Sequence, residues 1–169
     1  MASTYDKGPD GSVLTPERNG VRFGIFTGAV LCAYTVVAVL AGFFAHIEAG
    51  SVDVLLLILG AVLAIRHFRQ VRGEHMPYLG GYGTGIITTL VASVILGLFF
   101  VILDATMPKK LDLTQVERVF GFEMSTIIAL LSIILMGTMS GVITSLIAMQ
   151  YYKVDPVDPL ESVERAAQR

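Results

Sequence analysis

Four side chains able to hold a divalent cation or pass a proton, His46, Glu48, Asp53 and Asp104, stand at the ends of long apolar runs. If the fold brings those ends together, an imidazole and three carboxylates share one surface, a donor set that suits a borderline or hard metal. Their spacing matches no established ligand pattern, and helix caps or a solvated rim use carboxylates equally well. They are weak candidates, and the expectation is that no metal is bound. The string Gly80-Gly81-Tyr82-Gly83-Thr84-Gly85 has the composition of a phosphate-cradling loop. That chemistry needs a preceding strand and a helix start open to water. Here the glycines open an apolar run, so close helix packing is the expected use. A third cluster, Arg66, Arg69 and Arg72, offers guanidinium groups to anionic lipid headgroups or to a partner's acidic segment, or simply fixes topology. Cys32 has no second thiol to pair with and reads as a small packing residue.

An absence carries as much information. No Asp, Glu, Lys, Arg or His lies near the middle of any of the four apolar runs. Proton relays and ion-coupled carriers place ionisable groups at mid-membrane, where their cost is accepted for function. A haem held between helices would need histidines at depth, and His46, His67 and His75 sit at run ends. No nucleophile and base stand at a recognisable spacing. The expectation is a protein without catalytic residues or a cofactor, not an enzyme.

The elements that position these residues are long helices. The chain is 54% hydrophobic and 15% charged, with a mean hydropathy of +0.71, and the excess is concentrated in runs. Gly80 to Leu103 holds twenty-four residues without a charge, enough to cross a hydrocarbon core of about 30 Å. The spacing predicts an all-α polytopic membrane protein, a bundle of four transmembrane helices over about 21–47, 52–72, 80–104 and 124–152. A polar tail (1–20) precedes this domain (21–153) and a second tail (154–169) follows it. Thr15 is expected to cap the first helix with Pro16 at its first position, and Ser51 or Asp53 to cap the second. Thr114 and Glu117 form a capping box that predicts a short amphipathic helix in the loop between the third and fourth spans.

Small residues recur at every fourth place. Gly20, Gly24, Gly28 and Cys32 mark the first run; Gly60 and Ala64 the second; Gly81, Gly85, Thr89, Ser93 and Gly97 the third; Gly137, Gly141 and Ser145 the fourth. Such ridges let helix backbones come close. Three long ridges exceed what one hairpin contact uses, so one of them is expected to face a second chain. Orientation follows from the basic residues: nine fall in the segments on the N-terminal side of the membrane and three on the other. This places both termini in the cytoplasm.

The second run ends in AIRHFRQVRGE, a Tyr/Gly-rich stretch opens the third, LDATMP closes it, and GTMSGVITSLIAM lies in the last. In these features, over roughly Val21 to Lys153, the chain resembles the bacterial membrane family catalogued as domain of unknown function 4199. The resemblance implies four helices in a bacterial inner membrane and brings no functional residues with it. The expected partners are the lipid bilayer and other membrane-protein chains or further copies of this one. A net charge of −2 gives no reason to expect nucleic acid. The functional expectation is a non-catalytic accessory or scaffold subunit. The alternative is a carrier or channel for a small neutral or weakly polar solute, lined by Thr88, Ser93, Thr138, Ser140 and Thr144.

Overall fold

The computed structural model describes residues 15–42, 47–72, 78–106 and 126–151. These form four helices: α1 (Pro16–Ala41), α2 (Ile47–Arg72), α3 (Tyr78–Thr106) and α4 (Thr126–Tyr151). No strand occurs among the described residues. Each helix is long and apolar enough to cross a membrane; at 1.5 Å per residue, twenty-six residues reach about 39 Å. The protein is an integral membrane four-helix bundle. The expected helix between the third and fourth spans, and the C-terminal tail, lie outside the described residues.

Local sequence sets the ends of α1. Thr15 is extended (φ −89°, ψ 153°) and its hydroxyl accepts from the Arg18 N–H at 3.3 Å, with Pro16 in the first turn where no N–H is missed. Gly42 takes the left-handed conformation (φ 78°), so its N–H turns back onto the carbonyls of Ala38 and Val39. The first apolar run continues to Ile47, but α1 stops at Ala41 because this glycine closes it. The helix starts at Pro16, where the Thr15 cap was expected to open it, so residues 16–20, grouped above with the tail, are helical. α2 in turn starts at Ile47. Ser51 and Asp53 therefore lie within the helix and do not cap it.

α3 packs against each of the other helices, and α2 does the same, leaving α1 and α4 on opposite flanks. α1 and α3 run parallel. A Cβ at Gly20 would meet Ile87 at 2.8 Å, one at Gly24 would meet Val91 at 2.7 Å, and one at Gly28 would meet Ile95 at 3.0 Å. The pairs advance by four residues on both helices. α3 and α4 run antiparallel, and their small residues interlock. Space for a Cβ at Gly85 is taken by Ser145, at Gly141 by Thr89, and at Gly137 by Ser93. Gly97 receives Leu130, and Gly60 of α2 receives Thr27 of α1. The ridges of α1, α3 and α4 are thus all occupied within one chain. This corrects the expectation that one is left over for a second molecule: α3 presents one face to α1 and an adjoining face to α4.

Apolar layers fill the remaining interior. Val39, Phe100, Leu103 and Ala129 cluster at one end, Leu31, Leu57, Ala92 and Leu96 in the middle, and Ile65, Ala148 and Met149 at the other end. Overpacking a close contact costs about 1–3 kcal/mol, whereas Gly to Ala in an open helical position gains up to about 1 kcal/mol. Gly24→Ala is therefore expected to lower the stability of the bundle by that first amount. Gly83→Ala, where a Cβ meets nothing within 4 Å, is expected to leave it unchanged or raise it. Denaturant titration in mixed micelles measures both.

Candidate functional site

Three places hold the polar side chains: the seams of α3 with α1 and α4, the end where α3 gives way to α4, and the basic end where α1 begins and α2 stops. Along the seams the hydroxyls are directed at helix backbone. Thr84 donates to the Gly80 carbonyl at 2.9 Å, and the Pro16 carbonyl of α1 stands at 3.4 Å. Thr88 repeats the arrangement one turn on, with Thr84 O at 2.8 Å and Gly20 O at 3.3 Å. Thr89 stays on its own helix, bonding the carbonyls of Gly85 and Ile86. Such bonds to the preceding turn satisfy a hydroxyl without a ligand. Ser93 and Ser145 are wholly buried and their hydroxyls have no hydrogen-bond partner. Each is packed on a glycine of the opposite helix, Gly137 and Gly85 respectively, where the polarised Cα–H groups are the available weak donors.

The hydroxyls expected to line a solute path have different neighbours. Thr88 faces α1 and Ser93 faces α4, both fully buried. Thr138 bonds the Ile134 carbonyl at 2.7 Å. Ser140 is half-buried and Thr144 buried. Of the other packing positions, Gly28, Ala64 and Gly81 are buried as well.

At the α3–α4 end, Thr126 donates to an Asp104 carboxylate oxygen at 2.6 Å. Asp53, on α2, is partly buried, and one of its carboxylate oxygens has no hydrogen-bond partner. His46 and the Glu48 side chain lie outside the described residues. Among the described residues, no three His, Cys, Asp or Glu side chains come together as a metal site. Asp104 has its own partner in Thr126. Cys32 is a half-buried free thiol.

The basic end is organised by a residue that the sequence reading passed over. Asn19 is 1% exposed and its amide donates to the Ala64 carbonyl at 2.9 Å, tying the start of α1 to the end of α2. Nothing in the sequence marks it, since Asn19 stands among Glu17, Arg18 and Arg22 at a helix start where water is at hand; its burial comes from the packing of α2 against α1. One turn further, the Phe23 and His67 rings meet edge to face at 5.2 Å. Of the cluster on α2, Arg66 is exposed, whereas Arg69 and Arg72 are half-buried. The Arg72 guanidinium lies over the Phe68 ring, 5.3 Å from its centre.

Comparison of the chain with family models, with curated proteins and with solved structures finds no match.

An interhelical hydrogen bond contributes about 1 kcal/mol, whereas a buried hydroxyl without a partner contributes nothing that alanine loses. Asn19→Ala is expected to cost about 1 kcal/mol, and Ser93→Ala or Ser145→Ala to change stability by less than about 0.5 kcal/mol. The same micellar unfolding titration separates the two cases.

Proposed function

We propose that this protein is a non-catalytic accessory or scaffold subunit of a membrane complex, seated in a bacterial inner membrane with both termini cytoplasmic. The observation that carries the reading is how the interior is used. The buried hydroxyls along α3 are spent on helix backbone and on glycine surfaces, and the middles of the spans hold no ionisable group. What the bundle offers to other molecules is its outside. α4 is the least covered helix: 17% of its apolar stretch is buried, against 33–44% for the other three. Its outer face presents Ile127, Leu131, Leu135, Ile143 and Ile147. A second membrane chain, a further copy included, fits that face.

The basic residues support the orientation. Arg18, Arg22, Arg66, Arg69 and Arg72 gather at the end from which α1 starts, and positive charge is retained on the cytoplasmic side. Membership of the family named above would agree with this setting.

Purification in a mild detergent is expected to yield either a stoichiometric complex with another membrane protein or a discrete oligomer. A strictly monomeric chain with nothing travelling alongside it would sink the proposal. Reporter fusions after residue 15 and after residue 151 are expected to read cytoplasmic, and a fusion within 107–125 external. The reverse pattern would remove the orientation and leave the subunit role standing.

A further inference from the structure

At the end of the bundle where α1 begins and α2 stops, the described residues include five arginines, Arg18, Arg22, Arg66, Arg69 and Arg72, and one carboxylate, Glu17. Interactions within the chain account for part of this set. Arg69 and Arg72 occupy the last turn of α2, where a cation complements the helix dipole, and Arg72 also lies over Phe68. Neither reason reaches Arg22 or Arg66. Both side chains are exposed, and α1 starts at this end, so its dipole offers a cation nothing.

Their depth is the informative feature. Arg22 follows the first residue of α1 by six positions, and Arg66 precedes the last residue of α2 by six. Each is therefore about 9 Å along its helix from this end. Next to the two arginines on these helices stand exposed apolar side chains, Val21, Ile25 and Phe26 on α1 and Leu63 on α2. The two helices are joined at the same height by the Asn19–Ala64 hydrogen bond and the Phe23–His67 contact. Two guanidinium groups on adjoining helices thus flank the exposed apolar surface of α1 and α2, on stems long enough to reach outward to phosphodiester headgroups.

We infer that Arg22 and Arg66, on either side of the α1–α2 contact, hold the phosphate of an anionic phospholipid whose acyl chains lie along Ile25, Phe26 and Leu63. A guanidinium gives a phosphate two parallel N–H donors. A zwitterionic headgroup carries its own ammonium next to the phosphate and gains less from the arginines. The inference rests on the membrane location of the bundle and is independent of any protein partner.

The full chain, reconstituted into nanodiscs of phosphatidylcholine and phosphatidylglycerol and released into mild detergent, is analysed by native mass spectrometry for retained lipid. The wild-type chain is expected to keep phosphatidylglycerol over phosphatidylcholine, and added salt to weaken that preference. Arg22→Gln and Arg66→Gln are each expected to lower it about fivefold and together about 30-fold, whereas Arg→Lys at either position, which keeps the charge and loses the paired donors, is expected to lower it by less than glutamine does. The unfolding midpoint in pure phosphatidylcholine checks that the variants are folded. No lipid preference in the wild type, a preference indifferent to salt, or a double glutamine variant that keeps it in full would each overturn the inference. So would glycerol phosphate binding as tightly as the lipid, which would make this a site for a soluble anion, or an acidic protein found on the patch in place of lipid.

Discussion

Helices immersed in lipid are not pressed together by water, so their association depends on how closely their backbones can approach. In this bundle that approach is achieved along α3. Its residues come in adjoining pairs every four positions: Thr84 and Gly85, Thr88 and Thr89, Ala92 and Ser93, Leu96 and Gly97. All eight are buried. The first two members of the series, Thr84 and Thr88, meet the carbonyls of α1, and Ala92 and Leu96 pack with Leu31 and Leu57. The second members meet α4, with Gly85 and Gly97 on either side of Thr89 and Ser93, so that each hole on one helix takes a knob from the other. A helix with two such faces can hold a neighbour on each side, and the diamond arrangement of the four helices follows from it.

This use of small residues also fixes the chemistry of the interior. Threonine and serine serve here as compact shapes that carry their own hydrogen-bond solution, satisfied by the preceding helical turn or laid against a glycine. Charge is confined to the ends, with arginines where α1 begins and Asp53 and Asp104 towards the opposite end. Among the described residues the bundle is therefore polarised towards its two ends.

The basic end shows how local and long-range features combine. A capped start at Thr15 places Asn19 one turn inside α1. Packing of α2 against α1 buries its amide, and the bond to the Ala64 carbonyl satisfies it. That contact in turn sets Arg22 and Arg66 at one height.

Some of this was determined by the sequence alone. Four uncharged runs of sufficient length meant four membrane helices, because backbone polar groups in hydrocarbon must be satisfied within the segment. Thr15 and Pro16 announced the start of α1, and the fourfold spacing of small residues showed which face of each helix would be close-packed. The partner of each face was not legible there. Periodicity defines a stripe on one helix, whereas complementarity between Ser93 and Gly137, or between Gly24 and Val91, depends on the relative register and direction of two helices. Only tertiary structure decided that all the ridges are used within one chain, that α1 closes at Gly42 although the apolar run continues, and that Asn19 is a buried tie between helices. The physical reason is that close packing and hydrogen bonding between helices are properties of pairs of surfaces, and a single run of residues specifies only one of the two.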